Sequence, residues 1–188
     1  MSGVHAFQVW LVRTLASVTP VGAFMRTHWA WPAAESVHFI GLSLLVGTIV
    51  VWDLRLLGVG RRIPIAALHA LVRWTLVGYA ITAVSGVMFL MTEPTEYIYN
   101  PAFHFKVLFM ALAGLNALTF YLTVSRRTLT LGPGQHAPLP ARIIAAASLA
   151  LWTAVIVSGR LLTFYRPAWC GGAEPAGFLA DCVPLLQR

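Results

Sequence analysis

Charge is what this sequence has least of. Of 188 residues only 10% are Asp, Glu, Lys or Arg, and six are acidic. A soluble domain ordinarily carries about 25% charged residues. Here 59% of the residues are hydrophobic and the mean hydropathy is +0.77. A water-soluble fold of this length cannot hide so much apolar surface in one core, whereas a bilayer can cover it from outside. No Ser/His/Asp set, phosphate-binding loop or pair of intramembrane carboxylates is found, so hydrolase and nucleotide chemistry have no support. No basic stripe interleaved with aromatics is found either, which speaks against nucleic acid. Internal repeats and low-complexity tracts are also missing.

What is present is four stretches free of Asp, Glu, Lys and Arg. They are Ser36–Trp52, Trp74–Thr92, Val107–Ser125 and Ile143–Gly159, of 17, 19, 19 and 17 residues. A helix rises about 1.5 Å per residue, so a hydrocarbon core of roughly 30 Å asks for about 20 residues. Flanking residues can lengthen the two shorter runs. Backbone groups in lipid must be paired within the segment, which makes helices the expected form. The expected fold is all-α: a single polytopic membrane domain over 1–188, with a four-helix transmembrane bundle over 36–165 and an external tail over 166–188. The segment from His5 to Met25 carries Arg13 near its centre and Pro20 near its end. A central Arg costs roughly 3 kcal/mol on insertion scales. The segment is therefore read as an interfacial helix, with a fifth span as the alternative. A signal peptide is disfavoured, since no basic stretch precedes the apolar run.

Charge asymmetry gives an orientation. With four spans, the Asp53–Arg73 and Arg126–Arg142 loops share one side, where seven Arg face one Asp, a net of +6. The other side has six basic groups against five acidic ones. The positive-inside rule places the Arg-rich loops in the cytoplasm of a bacterial inner membrane and both termini in the periplasm. An Asp53–Arg73 pair is expected to latch the cytoplasmic surface. Cys170 and Cys182 both fall in the Gly/Pro-rich tail. A disulfide between them is expected on the oxidising side, with two free thiols as the alternative. Trp29, Trp31, Trp52, Trp74 and Trp169 stand near span ends as an aromatic belt.

Groups that ionise or bind metals at membrane depth are functional candidates. His5 and His136 read as solvated loop residues, and His69 as interfacial. His38 lies just inside the first span and His104 opens the third, at matching outer depth. They are candidates for two axial ligands of one haem b. Gly41, one turn below His38, would let a porphyrin face approach, and Lys106 would neutralise a propionate. The alternative is two interfacial imidazoles. A second metal reading uses His28, Glu35, His38, Met88, Met91, Glu93 and His104, whose His and Met residues make a soft set suited to copper. Asn116, near the middle of the third span, reads as interhelical glue, with Gly114 allowing close approach.

The strings ESVHFIGLSLLVGTIVVWDLRLLG (35–58) and NPAFHFKVLFMALAGLNALTFY (100–121) resemble signature blocks of an uncharacterised family of small bacterial membrane proteins. The matching positions are His38, Gly41, Asp53–Gly58, Phe103–Lys106 and Leu115–Asn116, and the resemblance covers roughly residues 30 to 165. More distantly the pattern is similar to the membrane domain of copper-resistance protein D and to the haem-binding J-type protoporphyrinogen oxidase. That likeness implies roles for His38 and Lys106. In it the place of His104 is often Arg, which implies a single axial His or no haem. The expected function is that of a b-type cytochrome-like protein passing electrons between the periplasmic side and the quinone pool. Copper handling, or a non-catalytic subunit docking a periplasmic protein, are the alternatives.

Overall fold

The computed structural model describes residues 3–16, 19–165, 168–169 and 182–183. The chain is helical almost throughout. The helices are α1 (Gly3–Ala16), α2 (Thr19–Met25), α3 (Ala30–Leu57), α4 (Ile65–Leu68), α5 (Leu71–Thr92), α6 (Pro94–Ile98), α7 (Pro101–Thr123), α8 (Ser125–Leu129) and α9 (Leu139–Leu161). In the tail, β1 (Ala168–Trp169) and β2 (Cys182–Val183) pair in parallel over two residues. Cys170 and the side chain of Cys182, and with them the expected disulfide, lie outside the described residues.

Four segments are long and apolar enough to cross a bilayer: Ala30–Leu57, Ile65–Thr92, Pro101–Thr123 and Leu139–Leu161. The chain is a multi-pass membrane protein. Every spanning helix begins before its charge-free stretch, and α3 and α9 also run beyond its end. α3 takes in Glu35 at its start and Asp53 and Arg55 at its finish. By contrast α1 has 14 residues, about 21 Å of helix, too short for a roughly 30 Å core. The interfacial reading of this segment fits that length, with the segment divided into two short helices.

The chain divides into two compact units. One takes the described parts of Met1–Ser36, Val84–Val107 and Ile156–Arg188 and is called the terminal unit below. Here α1 packs on α6 through Val12, Ile98 and Tyr99, with Leu11, Leu15 and Leu90 against them. Arg13 stays exposed while Gln8 is buried, its Nε2 donating to the Ile98 carbonyl at 3.5 Å. Asn100 starts α7. Its Oδ1 accepts from the Ala102 amide at 3.0 Å, and Pro101 fills the first helical position, where a missing N–H costs nothing. The Asn100 amide also donates to the carbonyls of Leu162 and Tyr165, which fastens the start of α7 to the end of α9.

The other unit, Val37–Ala83 with Leu108–Val155, holds the Arg-rich loops. Gly41 and Gly78 bring α3 and α5 together. A Cβ on Gly78 would come within 2.6 Å of the Leu45 amide nitrogen and 2.8 Å of the Gly41 carbonyl oxygen. Below this contact the Thr48 and Thr75 hydroxyls bond each other at 2.8 Å. Asn116 Nδ2 donates to the Ile144 carbonyl at 3.0 Å, so it joins α7 to α9 as its sequence position suggests. Gly114 has a different setting from the one expected. A Cβ there would meet nothing within 4 Å, so it makes no close helix contact. A core of Leu56, Ile65, Phe120, Val124, Ala137, Ala141 and Ala145 closes the loop end.

Candidate functional site

The haem expectation rested on His38, His104, Gly41 and Lys106. His38 is half-buried on α3 in the Arg-rich unit, and His104 is half-buried in the first turns of α7 in the terminal unit. The imidazole of His104 is engaged locally, with Nε2 lying 2.9 Å from the Ile98 carbonyl. As a donor there, Nε2 closes the α6–α7 turn and is not available to a metal. The space beside Gly41 is filled by protein. A Cβ there would lie 2.7 Å from Ile81 Cγ2 and 2.8 Å from Thr82 Oγ1. Gly41 therefore admits a neighbouring helix, where the sequence suggested a porphyrin face. Lys106 runs along α9, its Nζ 3.7 Å from the Cβ position of Gly159.

Among the described residues no three His, Cys, Asp or Glu side chains gather into a metal-binding group. His28, Glu35 and Glu93 are exposed and Met88 and Met91 are half-buried. His69 is exposed in the turn before α5, its ring 6.3 Å from that of Trp52. His136 is exposed and takes a hydrogen bond at 2.7 Å from Arg61 Nη1. The side chain of His5 lies outside the described residues.

The Arg-rich unit holds a site that the sequence did not single out. α3, α5, α7 and α9 surround a cavity of about 360 Å³. That is the size of a small-molecule pocket, which typically measures about 300–1,000 Å³. The walls are largely aliphatic and aromatic, and Trp52, Phe120 and Trp152 are among them. Two of these rings are ordered by contact, Trp52 standing edge-on to Phe120 at 6.0 Å. The large side chains among them that are exposed are Leu76 and Tyr79 on α5 and Tyr121 on α7. All three lie within spanning segments, so the mouth opens sideways, where lipid lies.

One acidic group faces this apolar space. Asp53 lines the cavity and is only 5% exposed. Its Oδ2 is buried without a hydrogen-bond partner. Ser148, also on the wall, is the side chain that interacts with the carboxyl. The expected latch with Arg73 is absent. Arg73 is exposed, its guanidinium 5.8 Å from the Trp74 ring. The reason is geometric: α3 continues past Trp52 to Leu57, which carries Asp53 into the bundle and away from the surface. Burying a carboxyl without a full set of partners costs stability. Such groups at membrane depth are functional candidates for that reason.

The neighbouring charge is neutralised elsewhere. Arg55 is 2% exposed, yet its guanidinium turns to loop carbonyls and not to Asp53. Nε donates to Ile63 at 2.7 Å, and Nη1 and Nη2 donate to Gln135 and Gly132 at 3.5 Å. Residues two apart on a helix point to different faces. The cavity thus combines apolar walls, a lateral mouth, and a carboxyl with one open oxygen. It can hold a small lipophilic molecule and meet one polar or charged centre on it. No curated protein and no solved structure matches the chain. A family model described as a family of unknown function (DUF6644) matches residues 9–165, from α1 to the end of the described bundle, and the chain belongs to that family.

Proposed function

We propose that this protein is a membrane-embedded binding protein that takes a small lipophilic ligand from the bilayer into the cavity of its Arg-rich unit. The observation that carries this reading is Asp53: a carboxyl 5% exposed, with Oδ2 unpartnered, on the wall of a cavity of about 360 Å³. A structural role would satisfy the carboxyl with donors, as Arg55 is satisfied with carbonyls. By the positive-inside rule the loops bearing Arg61, Arg62, Arg126 and Arg127 face the cytoplasm. The cavity then lies in the cytoplasmic half of an inner-membrane protein whose termini are periplasmic. A quinone headgroup belongs to the class of ligand that fits these walls. The electron-transfer and copper readings have less support, given the engaged Nε2 of His104 and the filled space at Gly41.

Photolabelling with a neutral aryl diazirine in membranes tests the proposal. Saturable label on wall residues shielded from lipid, such as Asp53 and Leu56, is the expected result. Gly114→Trp, which builds a ring from the cavity wall into open space, should protect them. Label confined to lipid-facing positions such as Leu122 and Ile143, with the same pattern in Gly114→Trp, rejects the reading.

A further inference from the structure

The charge composition of the cavity selects among ligands, given that the cavity is a binding site as proposed above. Among the described residues that line it, Asp53 is the only acid, and Lys, Arg and His are all missing. The basic groups close by in sequence are held elsewhere. Arg55 is held by three loop carbonyls, Arg73 lies over Trp74, and the His69 ring is 6.3 Å from that of Trp52. Among the described residues, no cation reaches the open oxygen of Asp53. A carboxyl in apolar surroundings must be matched either by a proton or by a cation.

The remaining walls favour a particular sort of cation. Trp52, Phe120 and Trp152 line the cavity, and Tyr79 and Tyr121 stand among the exposed members. Aromatic faces attract positive charge, and the attraction grows when the site is desolvated. A small inorganic ion would demand several oxygen ligands, which these rings do not supply. A bulky organic cation has a diffuse charge, little hydration to lose, and apolar groups to fill the volume. It also concentrates in the bilayer from which the mouth opens. The same site opposes an anion, since the one ionisable acid on its wall is Asp53 and no Lys, Arg or His stands there to offset it.

We propose that the cavity binds a lipophilic organic cation, an amphiphile with an ammonium- or phosphonium-type centre. The positive centre sits at Asp53 and the apolar groups lie against Trp52, Phe120 and Trp152. A neutral lipophile would gain the wall contacts alone, and an anion of the same shape would be repelled.

Three probes of similar shape separate charge from size: tetraphenylphosphonium, tetraphenylborate and triphenylphosphine oxide. Each is measured by itself, by equilibrium dialysis against the purified full chain in detergent. Saturable binding of the phosphonium is expected, with the oxide at least about tenfold weaker and the borate not bound. Asp53→Asn should weaken the phosphonium at least about tenfold without weakening the oxide, whose oxygen can accept from the new amide. Retained oxide binding also shows that the variant is folded. Gly114→Trp should reduce both. Equal affinity for phosphonium and oxide, insensitive to Asp53→Asn but lost in Gly114→Trp, overturns the cation assignment and leaves the cavity reading standing. Failure of every probe to bind, or binding that ignores Gly114→Trp, overturns both.

Discussion

Asp53 and Arg55 stand two positions apart on α3, and burial treats them differently. The Arg55 guanidinium donates to three backbone carbonyls from the two Arg-rich loops, so its charge holds those loops together. The carboxyl of Asp53 has an open oxygen and an apolar cavity in front of it. Removing an under-satisfied buried group relieves its desolvation cost, about 1–3 kcal/mol. Asp53→Leu should therefore raise the melting temperature in detergent by several degrees, at about 2–4 °C per kcal/mol for a chain of this size, while abolishing capture of a cationic probe. Arg55→Met should do the reverse. It leaves the Ile63, Gly132 and Gln135 carbonyls short of a donor, and limited proteolysis should then cut between Gly132 and His136 faster than in wild type. The glycines divide in the same way. Gly78→Ala forces α3 and α5 apart, because the new Cβ meets backbone at 2.6 Å; a loss of about 1–3 kcal/mol is expected. Gly114→Ala meets open space and should melt at or above the wild-type temperature, since Ala favours helix over Gly by up to about 1 kcal/mol.

At the scale of the element, the four spans were legible because lipid imposes one rule over a long stretch: no charge for about 20 residues. Their ends were not legible. The charge-free runs stop at Trp52 and begin again at Trp74, yet α3 reaches Leu57 and the second span starts at Ile65. A helix can continue through Asp53 and Arg55 when the tertiary structure supplies a cavity for one and carbonyls for the other. Sequence spacing does not reveal either. Asn116 was readable as a link between helices because an amide deep in a span has few other uses. Asn100 was missed, although Asn followed by Pro just before an apolar run is a helix-start signal. Its second role, reaching the end of α9, has no sequence signature. Asn100→Ala should cost about 1–2 kcal/mol as a lost cap. It should also speed hydrogen exchange in the last turn of α9, around Leu162 to Tyr165, relative to amides near Ser148. Equal exchange at both places in the variant and the wild type would show that the tie to α9 carries no stability.

Across the whole molecule, charge asymmetry was the legible feature and the candidate site was not. Seven Arg in two loops give an orientation from composition alone. Reporter fusions at Gly134 should be active only in the cytoplasm and fusions at the C-terminus only outside it; the opposite pattern would reject the orientation. The cavity left no such trace. It is the space that four helices leave between Leu45 and Trp152, and its walls are ordinary apolar and aromatic residues that sequence reading assigns to packing. His38 and His104 stand out in the sequence because imidazoles at matched depth suggest a cofactor. The Ile98 carbonyl beside His104 and the Ile81 side chain beside Gly41 became visible only in three dimensions. The central claim is that Asp53 is reached from the apolar phase through this cavity. Labelling with a lipophilic carbodiimide, dicyclohexylcarbodiimide, tests that claim most directly when the adducts are located by mass spectrometry. The account predicts that Asp53 is modified in membranes, that Gly114→Trp and prior tetraphenylphosphonium both protect it, and that a water-soluble carbodiimide reaches exposed Glu93 instead. An unmodified Asp53, or one modified equally fast by the water-soluble reagent and in Gly114→Trp, would contradict it.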